Sequence, residues 1–325
     1  MGQLWLAYAA GKDEVLGQHA RRFARRLLPR STSDTVFRGF LFYYGAALGD
    51  ILCGDAEAAE LALAGARGLA SAYNPAARLI PLGTSAEEAS DVGNGEANID
   101  GVPGGALLVW AAERTGDERL RRIAAAHAER YIELSVREDG SVVQSASFDP
   151  ASGRVLRRYT HKGFSDTSTW ARAQAWAMVG FALCTAWLGE RGPLLDAAQR
   201  TAEWWMAHVP DDKVAFWDFD APIDSNTPRD TSATAIATAA LLKLAALYPE
   251  RQGATRYRQF AEETVARLCA GYLTTGRDGQ PPGILTCGCY NHRLGLATAN
   301  ELVWGDYYLY EALHVLTGQL EATRL

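Results

Sequence analysis

The chain has 325 residues, of which 48% are hydrophobic and 22% charged, and its formal net charge is −6. That is enough apolar material for a large core, in one big domain or two smaller ones. The charges are scattered with no basic block, which argues against nucleic acid or an anionic membrane as partner and leaves room for a small neutral or anionic ligand.

The first helical patterns fall at 2–10 and 14–28. The opening "MGQLWLAYAAGKDE" has no charged lead and no long apolar run, so neither a signal peptide nor a membrane span is expected, and a reducing cytoplasm is the expected compartment. Apolar residues then recur at helical spacing in 37–52, 56–72, 102–115, 118–135, 169–189, 193–208, 231–247, 252–272 and 300–316. Strand-like alternation is confined to "SVVQSASFD" (141–149) and "VAFWDFD" (214–220). One junction repeats: a helix ends at a glycine, an acid follows, and an Ala/Arg-rich helix begins. It reads "AAGKDEV", "LCGDAEAA", "RTGDERL" and "WLGERGP", with glycines at 11, 54, 116 and 189. The glycine suits a helix C-terminus and the acid the start of the next helix.

Long loops at 73–101, 137–168, 210–230 and 274–299 hold most of the Gly, Pro, Asp and Asn. Hairpins with elaborate loops at one end predict an all-α closed ring with a central pocket, an (α/α)6 toroid forming a single domain over 1–325. An open solenoid is the rival, but its repeats would be more uniform in length. Eleven helices are counted where six hairpins need twelve, so the first helix of the ring is expected to be missing. Two expectations follow: either the chain is truncated or misannotated at its start, or a second copy, as a homodimer, covers the exposed N-terminal seam.

In chain order, the first chemical candidate is Asp100 in "ANIDGVPGGALLVWAAERTGD" (97–117). It reads equally as the cap of the helix after it or as a carboxyl whose pKa is raised by an apolar pocket. Ordinary glycosidases need two carboxylates, and no equally persuasive second one is found. Next comes "YTHKGFSDTSTWARAQAWAMVG" (159–180), the densest stretch. Ser165, Asp166, Thr167 and Ser168 are cap candidates. Trp170 and Trp176 are either buried packing or a stacking wall for sugar rings, with Arg172 able to fork onto a carboxylate and Gln174 to bond hydroxyls. In "FWDFDAPIDSNTPRDTSATA" (216–235), Asp230 reads as an N-cap, and Asp218 and Asp220 as braces of their loop. Cys287-Gly-Cys289 lacks a second ligand pair, so no metal is expected. Asp306 in "NELVWGDYYLYEAL" (300–313) reads as a cap at the pocket floor.

The stretches "NIDGVPGGALLVWAAERTGD", "THKGFSDTSTWARAQAWAMVGFAL", "FWDFDAP…RDTSATAIA" and "VWGDYYLYEAL" together resemble, in order and spacing, the unsaturated glucuronyl hydrolases of glycoside hydrolase family 88. The resemblance covers essentially the whole chain. It implies an (α/α)6 barrel with no metal or other cofactor, acting on an oligosaccharide or a glycosylated small molecule. The implied reaction removes a 4,5-unsaturated uronic acid from a non-reducing end. One aspartic acid protonates C4 of the vinyl ether and water adds at C5, so a single carboxylate suffices. Asp100 matches that acid. Trp170, Arg172, Gln174 and Trp176 match the family's pocket helix, and His161 and Tyr290 fall at pocket positions.

Departures from the pattern concern recognition. The family has a His-Asp pair before Gly-Phe-Leu, where this chain has Val36 and Phe37. A family His is Gln144 here, a Gln is Lys162, and the N-terminal helix with part of a Phe-Trp-Thr-Gly entry is absent. Lys162 adds a positive charge suited to a carboxylate or sulfate. Two other readings stay open from the sequence: the same fold as a tailoring enzyme on a different unsaturated or glycosylated molecule, and a barrel that binds sugar without turnover.

Overall fold

A computed structural model describes residues 1–86, 93–189, 192–248, 252–274 and 283–325. The helices are α1 (Gly2–Gly11), α2 (Glu14–Ala24), α3 (Arg38–Phe42), α4 (Leu48–Cys53), α5 (Ala56–Ser71), α6 (Gly105–Thr115), α7 (Glu118–Ser135), α8 (Ala171–Leu188), α9 (Pro193–His208), α10 (Thr231–Leu247), α11 (Gln252–Gly271) and α12 (Val303–Leu316). At three of the four glycine–acid junctions the glycine behaves as the sequence predicts. Gly54, Gly116 and Gly189 take the left-handed conformation that ends a helix, with φ of 66°, 75° and 71°. At the first junction Lys12, not Gly11, occupies that position, with φ 53°. Asp13, Asp55 and Asp117 then cap α2, α5 and α7 by accepting from the backbone N–H of Val15, Ala58 and Arg119. Glu190, expected in the same role, lies outside the described residues.

These tight junctions fold each helix back on the one before. Helix α1, the α3–α4 unit, α6, α8, α10 and α12 pack in sequence, and α12 returns to α1, closing an inner ring of six. Helices α2, α5, α7, α9 and α11 lie outside it. The ring is the predicted barrel of helical hairpins, and its closure rules out the open solenoid. Helix α8 is buried on all sides, every residue except Ala186 being buried. Outer helices bury one stripe, as α7 does with Leu120, Ile123, Ala124, His127, Ala128, Tyr131 and Leu134. None of the described helices is long and apolar enough to cross a membrane.

Several local expectations are corrected. The helix predicted over 37–52 is interrupted by one π turn, Tyr43–Ala47. The pattern at 14–28 ends as an α-helix at Ala24 and continues as a 3-10 segment, Arg25–Thr32, around Pro29. Residues 214–220 form no strand, only the isolated bridges Trp170–Asp218 and Phe216–Arg229. A three-stranded antiparallel sheet of β1 (Glu96–Asn98), β2 (Ser145–Phe148) and β3 (Val155–Tyr159) joins the loops at one end, and the sequence pattern signals only β2.

Candidate active site

A cavity of about 490 Å³ opens at the ring's centre. Asp100, Phe37, Lys162, Trp170, Arg172, Trp176 and Tyr290 all line it, so the fold gathers residues spread over more than 250 positions of sequence. Gln144, His161 and Gln174 are not among its lining residues. The sequence reading missed the rest of the wall, which is Met1, Gly2, Gln3 and Gly45 together with the apolar and aromatic residues Phe40, Leu41, Tyr44, Val303, Trp304, Tyr307 and Tyr308. The aromatic runs "FLFYYG" and "VWGDYYLY" were the available signal.

Asp100 is not a helix cap. It is the second residue of the 3-10 segment Ile99–Gly104, and that segment is capped by Asn98, whose Oδ1 accepts from the Asp100 N–H at 3.2 Å. The carboxyl itself is half-buried, with Oδ1 shielded from solvent. The segment is held closely against α3. A Cβ on Gly39 would sit 2.5 Å from the Gly104 Cα, so only glycine permits this crossing. The close approach brings the chain around Phe37 and the Asp100 segment to one side of the cavity.

Another part of the wall is cationic and aromatic. Trp170 occupies the N-cap position of α8 with no side-chain cap, so the predicted caps Ser165, Asp166, Thr167 and Ser168 serve elsewhere. Arg172 projects from the first turn but does not present a free fork. Its Nη1 donates to Asp230 Oδ2 at 2.6 Å and to the Cys289 carbonyl at 2.5 Å, and its Nη2 to the Tyr290 carbonyl at 2.5 Å. The guanidinium also lies 4.3 Å from the Trp170 ring centroid. Arg172 therefore anchors the loop that carries Tyr290. Lys162 is buried, with Nζ 3.4 Å from the Tyr290 hydroxyl and 4.6 Å from that ring's centroid.

Gln144 stands behind this wall. Its Oε1 accepts from the Lys162 N–H at 2.9 Å, and its backbone carbonyl accepts from the Ile99 N–H at 2.9 Å. It thus ties the Lys162 loop to the Asp100 segment. His161 packs beside it, Nδ1 being 3.0 Å from the Ser145 hydroxyl. Gln174 points away into the seam between α8 and α9, where Nε2 donates to the carbonyls of Gly140 and Thr201 at 3.0 Å each. Its buried position is explained by that bracing and not by contact with the cavity.

The acids of the other motifs are structural, as expected. Asp218 accepts from the Phe164 N–H and the Ser168 hydroxyl, Asp220 from the Thr169 N–H, and Asp230 caps α10. Asp306 caps no helix; it accepts from the backbone of Ile284 and Leu285, and burial raises its pKa to about 6. At the cavity floor the Tyr44 and Tyr308 hydroxyls meet at 2.6 Å, and burial holds both tyrosines well above the ordinary phenol range. The five cysteines are unbridged, and burial pushes the Cys289 thiol up to about 12.

No family model matches the chain. Among curated proteins it is 37% identical over 320 residues to an unsaturated glucuronyl hydrolase of Bacillus sp. strain GL1, covering 96% of this chain and 83% of that one. It is 30% identical over 321 residues to an unsaturated chondroitin disaccharide hydrolase of Streptococcus agalactiae, covering 96% and 78%. Among solved structures, that of an unsaturated glucuronyl hydrolase from Bacillus sp. GL1, described as responsible for glycosaminoglycan degradation, superposes with a TM-score of 0.90 at 36% identity over 97% of this chain and 84% of the other. A structure of an unsaturated glucuronyl hydrolase specific for heparin matches with a TM-score of 0.89 at 27% identity over 99% and 86%.

Proposed function

The chain belongs to the unsaturated glucuronyl hydrolases, and from that membership we propose that it removes a 4,5-unsaturated uronic acid from the non-reducing end of an oligosaccharide. Residues 1–325 act in this reading as one domain around one cavity. The observation that carries it is the position of Asp100, a half-buried carboxyl on the wall of a cavity lined by tryptophan, tyrosine, lysine and arginine.

Protonated Asp100 gives its proton to C4 of the substrate's C4=C5 bond. Water adds at C5 and returns a proton to the Asp100 carboxylate. The hemiketal so formed collapses, and the aglycone leaves with the glycosidic oxygen. Because the first step is protonation of carbon and not displacement at the anomeric centre, one carboxyl serves as both acid and base. Trp170, Trp176 and Tyr290 offer ring faces to the sugar, and Lys162 meets its carboxylate. Phe37 makes the cavity wall more apolar. His161, Gln144, Arg172 and Gln174 act on the substrate through the residues and loops they hold.

The test is turnover of lyase-derived unsaturated disaccharides, followed by loss of their ultraviolet absorbance. Wild type is expected to clear it. Asp100→Asn is expected to leave it unchanged while its circular dichroism matches wild type. A fully active Asp100→Asn protein would remove Asp100 from the mechanism.

A further inference from the structure

We infer that His127 and Tyr131, two fully buried residues on the outer helix α7, are positioning residues for the Asp100 carboxyl. The inference rests on Asp100 being the acid. Neither residue lines the cavity, and neither belongs to a motif that the sequence singles out.

Histidine and tyrosine four residues apart share one face of α7, and that face is turned toward the segment carrying Asp100. Their hydrogen bonds reach the backbone on both sides of the acid. The Tyr131 hydroxyl accepts from the Asn98 N–H at 3.2 Å. His127 Nε2 lies 3.3 Å from the Gly101 carbonyl, and His127 Nδ1 accepts from the Ile80 N–H at 3.1 Å. The Ile80 contact decides the tautomer. A backbone N–H requires a bare Nδ1, so the ring proton sits on Nε2 and points at the Gly101 carbonyl. Burial holds the ring in this neutral form, drawing its pKa down to about 4. The two rings meet edge to face at 5.1 Å, which fixes each against the other.

Asp100 is thereby suspended between two pinned residues, Asn98 and Gly101, with Ile99 tied to the Gln144 carbonyl between them. A 3-10 segment has weak internal bonding and needs such external partners to hold one conformation. General acid catalysis at carbon demands a fixed approach of the proton to C4, and a shift of about 1 Å costs on the order of a hundredfold in rate.

The experiment uses the whole chain with three variants and Asp100→Asn in parallel. His127→Asn keeps an acceptor near the Nδ1 position but withdraws the donor from Gly101. His127→Gln carries an amide to the Nε2 position and restores that donor. Tyr131→Phe removes only the hydroxyl. With unsaturated disaccharide as substrate, kcat is expected to fall roughly 10- to 100-fold in His127→Asn and Tyr131→Phe, with KM little changed, and to recover in His127→Gln. Melting temperature is measured on each, so that kcat refers to folded protein. If His127→Asn and Tyr131→Phe, folded, keep wild-type kcat while Asp100→Asn is inactive, the positioning role is overturned and the reaction assignment stands. If Asp100→Asn itself keeps activity, the assignment fails and this inference with it.

Discussion

Arg172 and Asp230 form a buried ion pair at 2.6 Å in which the same carboxylate also caps α10 through its other oxygen. One acid therefore joins the start of α8, the start of α10 and, through Arg172, the carbonyls of Cys289 and Tyr290. Asp230→Asn keeps a good cap but removes the charge. Leaving the guanidinium buried and unpaired is expected to cost about 3–5 kcal/mol. Asp230→Ala should lose roughly 1 kcal/mol more, the usual value of a cap. Urea unfolding of the three proteins measures both steps. Equal stabilities for wild type and Asp230→Asn would show that the pair contributes nothing.

If Lys162 meets the substrate carboxylate as proposed, its charge is open to a direct test. Lys162→Met retains the aliphatic stem that packs near Tyr290 and Trp170 but deletes the ammonium. A charge-assisted hydrogen bond is worth about 1.5–3 kcal/mol, so KM for an unsaturated uronide is expected to rise roughly tenfold or more. The wild-type KM should rise with salt and the variant's should not. Steady-state kinetics at two ionic strengths decide this, and an unchanged KM would assign the carboxylate to another group.

Phe37 fills the side of the cavity on which the family pattern has an acid. The Phe37 ring itself offers a sugar hydroxyl no acceptor, and a missing polar partner is costly in a recognition site. Phe37→Asp is expected to raise kcat/KM on unsaturated disaccharides by about tenfold or more. A decrease, with the fold intact by circular dichroism, would mean that the apolar side chain itself is what the substrate requires.

The barrel was legible because its determinants are local. Glycine followed by an acid specifies a helix end and a helix start within four residues, and Gly54–Asp55 and Gly116–Asp117 behave that way whatever surrounds them. Asp100 and Trp170 stood out through their resemblance to known stretches, and Lys162 as a departure from them. Arg172 and Gln174 stood out by residue type, which suggests ligand binding, but their bracing role was hidden because their acceptors Asp230, Cys289, Gly140 and Thr201 lie 27 to 117 positions away. His127 was invisible for a related reason. A lone histidine on an apolar stripe looks like packing until the backbone groups of Ile80 and Gly101 are placed against its two nitrogens.

The same histidine gives the fold a pH dependence of definite sign. Its ordinary pKa of 6.5 drops to about 4 in the folded protein, because burial disfavours the imidazolium. Between these values the unfolded chain binds a proton that the native state does not, so this site's contribution is fully present above 6.5 and is lost as pH falls toward 4. Protonating Nδ1 would also set an N–H against the Ile80 N–H, breaking that bond. Asp306 works in the opposite direction. Its folded pKa of about 6 lies above the ordinary 3.8, so its contribution is largest at low pH and is lost as pH rises through about 6. The two partly cancel in wild type, and removing either uncovers the other. His127→Gln is therefore expected to make the protein relatively more stable at acid pH, and Asp306→Asn to steepen the loss of stability there. Urea midpoints across pH 4 to 7 for wild type and both variants measure the slopes, and parallel curves for all three would show that neither group titrates differently on folding.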